Sequence, residues 1–420
     1  MTASQPSAAG PGPVSARIIL FTGKGGVGKT TTAAATAVQL ADRGLKTLLL
    51  STDAAHSLAD AIGQPLSGEP TSVAPGLDAV QVDTQHRFEA AWSDVQAYLQ
   101  QLLAQGGVDP VTAEELTVLP GIDEILALLA VGDLAGQGRW DAVVVDCAPT
   151  AETLRLLALP EALNWYLQRV FPVHRALARG LRPMAAFLGR PAALPSDAVL
   201  EAVLRLADDL ATVRAMLADP ASTSVRLVVT PEAVVLAEAR RTLTALSLYG
   251  YQVDEVVVNR VFPAVVGQSA WGQAWLQAQG AQLSVLAESF AGLTIRQLPY
   301  RSGEPVGLPA LAEVAEQLYG EDDPAVAAPV EPLLQVASLG ENAFELTLRL
   351  PLADRSDVSA ARLEDQLVVT AGGHRRVLAL PSVLRRCQVV AGSVSDGRLR
   401  LRFEPDPALW RPGLGTGSGA

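Results

Sequence analysis

Cysteine is almost absent from this chain. Its 420 residues include two, Cys147 and Cys387, far apart and in no C-x-x-C pair. That excludes a disulfide framework and a cysteine-built zinc or iron–sulfur site within one chain, and it fits a reducing compartment. Charge is also sparse: charged residues make up 18% against 49% apolar, with a net charge of -12. This is a globular composition. No basic cluster interrupts the acidic balance, which argues against a broad nucleic-acid footprint or a polybasic membrane surface. No apolar run is long enough to cross a bilayer, so no integral membrane segment is expected. The opening "MTASQPSAAGPGPVSA" has neither a basic n-region nor an apolar h-region. The expectation is a soluble, cytoplasmic protein, or a stromal one if the source is a photosynthetic eukaryote.

What is present is a phosphate-binding signature. In "FTGKGGVGKTTTAAATAVQL", residues 21–40, Gly23, Gly25 and Gly28 spell G-x-G-x-x-G, while Gly23, Gly28, Lys29 and Thr30 spell G-x-x-x-x-G-K-T. Both patterns need a strand before the loop and a helix after it, and "ARIILF" and the alanine-rich "TTTAAATAVQLADRG" provide them. Asp53, after "KTLLLST", stands near where a dinucleotide fold places its acidic residue, so spacing alone leaves that reading open. Lys29 and Thr30 decide for a nucleoside triphosphate with magnesium, which needs a cation on the β and γ phosphates and a hydroxyl on the metal. The loop residues Gly23, Lys24, Gly25, Gly26, Val27, Gly28, Lys29, Thr30 and Thr31 are therefore the candidate nucleotide cradle. Lys24 is surplus to it.

The runs "LDAVQV", "WDAVVVD", "SVRLVVT", "VDEVVVN" and "LTIRQLP" are near-continuously apolar and alternate with helical segments. That is the pattern of parallel strands covered on both faces, so an α/β fold with a doubly wound sheet is expected, its ligand crevice at the carboxyl ends of the strands. Asp146 ends one such strand and is a candidate magnesium residue with Thr30. Asp53 ends another, placed to orient an attacking water. Each aspartate could instead be a helix cap. His56 and His174 are isolated and receive no chemical role.

Length favours two or three domains. Residues 1–15 and 406–420 read as disordered tails, residues 16–320 as the nucleotide-binding unit and 321–335 as a linker. Within the first unit, residues 86–131 and 160–218 look like a helical layer added to the sheet. Beyond the linker the pattern changes to period two: Phe344, Leu346, Leu348 and Leu350, then Leu367 and Val369, Val377 and Ala379, and Leu399, Leu401 and Phe403. Antiparallel half-buried strands joined by "AGGH" and "SDG" turns predict a small β-sandwich over 336–405.

Taken together, "GKGGVGKTT", "STDAAHSLAD", "LPGIDEILAL" and "DCAPTAETLRLLALP" resemble the arsenical pump ATPases and the guided-entry targeting ATPases that deliver tail-anchored membrane proteins. The resemblance implies a P-loop ATPase and a nucleotide-bridged homodimer. In it, Lys24 reaches the partner's ATP, Asp53 positions the hydrolytic water, Thr30 and Asp146 manage magnesium, and Lys29 holds the phosphates. Asn259 in "VVVNR" would recognise adenine, backbone near Pro299 would line the base, and Glu232 would lie near the nucleotide. It also implies a groove for hydrophobic client helices, here Trp165, Leu167, Phe171, Leu181, Met184 and Phe187, although the same side chains could be ordinary core. The β-module resembles the α-crystallin domain of small heat-shock proteins, and an ATPase carrying one resembles a bacterial and plastid branch of the targeting family.

Some positions depart from the family pattern. Ala54 replaces a usual proline, and Cys147, Ala151 and Glu152 alter the middle of the second switch. The phosphate loop implies ATP and magnesium as cofactors, while the arsenite-binding cysteines and the C-x-x-C of an intersubunit zinc are missing, so no zinc and no iron–sulfur cluster is expected. A pump-driving ATPase for a metalloid or anion is the main alternative. A positioning ATPase acting on DNA or membrane shares the extra lysine but needs a basic or amphipathic surface segment, and a nitrogenase-type reductase needs cluster cysteines.

Overall fold

In a computed structural model, residues 16–53, 57–82, 122–147, 197–327, 329, 331–340 and 342–409 are described. The signature folds as the sequence predicts: β1 (Arg17–Thr22), a glycine loop, then α1 (Lys29–Asp42). There follow β2 (Thr47–Ser51), α2 (Ser57–Ile62), β3 (Thr71–Ala74), β4 (Leu77–Gln81), α3 (Ile122–Gly136), β5 (Ala142–Asp146) and α4 (Asp197–Ala218). The unit closes with β6 (Thr223–Val229), α5 (Ala233–Tyr249), β7 (Val253–Val261), α6 (Ala270–Ser289), β8 (Thr294–Pro299) and α7 (Leu308–Tyr319). Eight strands form one sheet in the order β3-β4-β2-β5-β1-β6-β7-β8. All pairs are parallel except β3 with β4. Every residue of β2, β5 and β6 is buried, which explains the apolar runs they carry. The short β3, with an exposed first half, has no such signature and was not expected.

Several buried polar residues break the apolar rule, and Arg226 is the largest of them. Arg226, in the middle of β6, is 1% exposed. Its guanidinium donates to the Tyr319 hydroxyl at 3.0 Å and to the Pro324 carbonyl at 2.7 Å, and faces Asp254 and Glu255 at 3.7 and 3.9 Å. Burial disfavours its charge, but Tyr319, Glu255 and Asp254 outweigh that and raise its pKa above the ordinary value. Arg17 donates to the Ala325 carbonyl at 2.9 Å, and Arg296 to the Leu318 carbonyl and to Asp322, both at 2.9 Å. The chain leaving α7, which the sequence suggests is a loose linker, is therefore clasped by three arginines of the sheet.

The C-terminal strands form two antiparallel sheets. β9 (Leu334–Gly340), β10 (Ala343–Arg349), β14 (Cys387–Ser395) and β15 (Arg398–Pro405) make the order β14-β15-β10-β9, and β11 (Ser359–Leu363), β12 (Gln366–Ala371) and β13 (His374–Ala379) the order β11-β12-β13. Leu346, Leu348, Leu367, Val369, Leu399, Leu401 and Phe403 point into the shared core. In β13 the phase is the opposite of that expected. Leu378 and Leu380 are buried, Val377 is half-buried and Ala379 exposed. Four apolar residues in succession, "VLAL", allow either phase, and pairing of Leu378 with Leu367 puts the two leucines on one inner face. The same parity directs Arg376 towards α5, where it donates to the Leu248 carbonyl at 2.6 Å. Leu248 belongs to the sandwich core, and the Thr244 hydroxyl donates to the Pro351 carbonyl at 2.6 Å. Gly250 ends α5 in the left-handed region at φ 92°, and a Cβ there would press on the Arg376 guanidinium.

Candidate nucleotide site

The loop between β1 and α1 lies at the carboxyl end of the sheet's central strand, flanked by β5 and β6. Glycine is required at two of its positions by close approach. A Cβ on Gly23 would collide with the Val228 carbonyl oxygen, and one on Gly28, which also has φ 97°, with the Asn259 amide. Gly25 and Gly26 have open space where a Cβ would stand. Val27 is buried and anchors the loop, while Thr31 lies in the first turn of α1, whose free N–H groups and dipole favour an anion. Lys29 is 6% exposed and arches back so that Nζ donates to the Lys24 carbonyl at 3.4 Å. The Lys24 side chain points elsewhere: Nζ pairs with Glu238 of α5 at 3.6 Å.

Asp146, ending β5, is fully buried. Its Oδ2 accepts from Thr30 Oγ1 at 2.7 Å and from Ser51 Oγ at 3.4 Å, and Thr30 Oγ1 is 3.2 Å from Ser57 Oγ. Its Oδ1 is buried with no hydrogen-bond partner among the described residues. A carboxylate oxygen without a partner beside hydroxyls is the hard oxygen set that suits magnesium, which takes one or two carboxylates and completes its shell with water and phosphate. Among the described residues no group of three or more His, Cys, Asp or Glu is placed to hold a metal, so a dedicated carboxylate or thiolate cage is not what this site offers. Cys147 next door is buried, its thiol pushed up to about 12 by burial and by Asp146, and its N–H extends the sheet by donating to the Phe21 carbonyl at 3.0 Å.

Burial, with a smaller push from Asp53, raises the Asp146 carboxyl to about 6 despite the Thr30 hydrogen bond and the Lys29 charge. The nucleotide-free fold therefore keeps a proton that the unfolded chain releases near pH 4. Stability from this group is greatest below that pH and falls as pH rises to about 6, by roughly 3 kcal/mol. Denaturant titrations of the unliganded protein and Asp146→Asn from pH 4 to 7 should diverge by about that amount, the wild type losing stability relative to the variant. Parallel profiles would mean an ordinary carboxylate.

Asp53 follows β2. Its N–H donates to Ser51 Oγ at 3.2 Å and its carbonyl accepts from Gln81 Nε2 at 2.5 Å, so the backbone is tied to the same serine that reaches Asp146. Asn259, near the end of β7, donates from Nδ2 to the Val27 carbonyl at 2.8 Å and accepts the Arg260 N–H at 2.9 Å. It thus braces the phosphate loop in this structure. Pro299 ends β8 opposite Val261, which brings it beside the Asn259 segment. Glu232 is exposed at the start of α5. Trp165, Leu167, Phe171, Leu181, Met184, Phe187, Ala54, His56, Ala151, Glu152 and His174 lie outside the described residues. Sequence reasoning missed Ser51, Ser57, Gln81 and Glu238. The two serines flank "TDAAH" and carried a positional signal, while Glu238 is one of many helix-surface acids and carried none.

Residues 16–320 match the family described as anion-transporting ATPase. The chain belongs to that family. Residues 341–403 match the HSP20-like domain found in its members. A Chlorobaculum tepidum protein named provisionally as an arsenical pump-driving ATPase is 36% identical over 390 residues, covering 92% of this chain and 96% of the relative. Protein Rv2184c of Mycobacterium tuberculosis is 38% identical over 422 residues, covering 95% and 98%. The ATPase get3 of Pyrenophora tritici-repentis is 30% identical over 320 residues, covering 72% and 91%. This anion-transporting-ATPase chain is accordingly a P-loop ATPase with an appended antiparallel β-module. No described helix is long and apolar enough to cross a membrane.

Proposed function

We propose that the chain is a magnesium-dependent ATPase that works as a nucleotide-gated homodimer and binds hydrophobic segments of client proteins. The observation that carries the dimeric part is the division of labour between the two loop lysines. Lys29 is buried over its own loop and serves the phosphates in cis. Lys24 leaves that cradle, its side chain 40% exposed and held by Glu238, a weak partly solvated pair that a phosphate of a second copy's ATP can displace. Thr30 and Asp146 would hold magnesium, which supplies neutralisation of charge developing on the phosphoryl oxygens. Asp53 orients the attacking water. The client role rests on the resemblance and on kinship with a protein named get3. The residues assigned to that groove are its proposed seat, the cytoplasm its proposed place, and units 16–320 and 336–405 its proposed working parts. A pump-driving role for an anion is the second reading, favoured by the family's description.

Mixing two inactive variants tests the dimer. Lys24→Ala and Asp53→Asn, each nearly inactive alone, should together recover up to about a quarter of wild-type turnover when mixed in equal amounts and allowed to exchange. Half the dimers are then mixed and each has one complete site. Absence of any recovery, with exchange demonstrated, would place Lys24 in its own site and remove the trans reading.

A further inference from the structure

Strand β15, "RLRLRF", turns Leu399, Leu401 and Phe403 into the sandwich core, so Arg398, Arg400 and Arg402 share the outer face of their sheet. Two of the three are provided for within the module. Arg402 pairs with Glu404 at 2.9 Å, and Arg400 donates to Ser395 Oγ at 2.7 Å. Arg398 is placed differently: in the antiparallel register it stands directly opposite Arg349 of β10, on the same face. Like charges in that relation destabilise a sheet. Arg349 is half-buried, and its guanidinium has no hydrogen bond or ion pair among the described residues. Both arginines line one cavity of about 560 Å³. Its walls come from both units, with Ala291 and Gly292 after α6 on the ATPase side, Glu331 on the chain leading to β9, and the β14–β15 turn on the module side. The module wall is firmly set. Asp396 and Gly397 have φ of 52° and 64°, the pair of left-handed residues a two-residue hairpin turn needs, and a Cβ on Gly397 would press on Pro351. Glu331 shows what the wall takes. Its carboxylate lies 2.6 Å from the Arg398 guanidinium, and that hydrogen bond and charge, with a smaller contribution from Arg349, hold it below the usual carboxylate range. The Glu331 side chain is 58% exposed, so the pair is weak and exchangeable, and it serves one of the two guanidiniums.

We propose that this cavity binds a metabolite-sized dianion, a dicarboxylate or a phosphate ester, which bridges the Arg349 and Arg398 guanidiniums in place of Glu331. Two guanidinium forks on one wall match the oxygens of a carboxylate or a phosphate, each taking two hydrogen bonds. Charge sets the valence. Once Glu331 is displaced, Asp396 is the one carboxylate left among the lining residues, so two cations face the ligand and a dianion answers both. Leu352 is the one large aliphatic side chain on the wall, which argues against an apolar ligand. The volume falls within the roughly 300–1,000 Å³ of small-molecule sites, and a cleft between two folded units is a common place for one. The site is separate from the phosphate loop, and none of its residues belongs to the nucleotide cradle. Because both units supply its walls, a bound dianion also favours the docked position of the β-module through its own binding free energy.

Calorimetric titration of the full-length chain, its phosphate loop filled with ADP and magnesium, tests this with succinate and with glycerol phosphate as probes. The wild type should bind with saturation. Arg349→Gln should weaken binding about tenfold or more, as loss of a charge-assisted pair does. Its unliganded melting temperature should not fall, because Arg349 holds nothing within the module and its removal relieves Arg398. Glu331→Gln should bind about threefold tighter or more, since the weak internal competitor is gone. Arg375→Gln removes the same charge from an exposed position of β13, in the other sheet, and should leave the affinity as it was. Binding of succinate alone identifies a dicarboxylate site, of glycerol phosphate alone a phosphate-ester site, and of both a site that reads charge; each supports the cavity. The proposal is overturned if neither probe binds the wild type or Glu331→Gln, if binding survives Arg349→Gln, or if Arg375→Gln weakens it equally. A clear fall in the melting temperature of Arg349→Gln marks that arginine as structural and overturns it as well.

Discussion

Asp53→Asn should retain ATP and magnesium and lose roughly 10²–10⁴-fold in turnover, the range expected if a positioned carboxylate stops accepting from the attacking water. The substitution is isosteric, and the backbone of Asp53 is fixed independently by Ser51 and Gln81, so the loop keeps its course. The cradle of Gly23, Gly28 and Lys29 is untouched. Phosphate release measured beside nucleotide affinity by calorimetry separates binding from chemistry. Near-normal turnover removes Asp53 from the mechanism. A second readout comes with it: Asp53 contributes to the raised pKa of Asp146, so the variant's acid-linked stability change should move to lower pH. An unmoved profile would show that the two carboxylates do not sense each other.

Arg226→Met is the largest stability effect expected outside the nucleotide site. Removing the cation from β6 leaves Asp254 and Glu255 with Arg17 and Arg296 as their cations among the described residues, and takes one donor each from the Tyr319 hydroxyl and the Pro324 carbonyl. Breaking a buried ion network from one side costs about 3–5 kcal/mol. Denaturant midpoints of the ATPase transition check it. A change below about 1 kcal/mol would mean that the network is neutral against a well-packed apolar replacement, which buried ion pairs can be. Tyr319 also hydrogen-bonds Thr36 of α1 at 2.7 Å, so the variant should loosen the packing of the phosphate-loop helix as well.

What could be read from the sequence followed from how each interaction is encoded. β1, β5 and β6 were legible because strands covered on both faces must be apolar at successive positions, and Asp146 stood out because it ends such a run. The loop was legible because glycine is forced wherever Val228 and Asn259 come within van der Waals reach. Arg226 was not, since a charge inside a strand reads as a solvent-facing position until its partners, distant in sequence, are known. The phase of β13 was not, because both parities of "VLAL" are apolar and the choice depends on Leu367 across the sheet. Lys24 was singled out as surplus. Its present partner Glu238 was hidden, because a helix-surface acid carries no local mark of what approaches it.

The arginine clasp changes what kind of tether joins the β-module to the sheet. With the carbonyls of Pro324 and Ala325 held by Arg226 and Arg17, the lead from the sheet begins after Ala325 and ends where β9 starts at Leu334, and on the module's side Glu331 pairs with Arg398 at 2.6 Å and the Leu333 carbonyl accepts the Arg349 N–H at 2.7 Å. Fully extended, that stretch spans roughly 30 Å. A module on so short a lead, released from α5, explores a volume in which its docking surface remains at roughly millimolar local concentration. Recapture is then unimolecular, and the contacts at Thr244, Leu248 and Gly250 can be individually weak while the docked state still predominates.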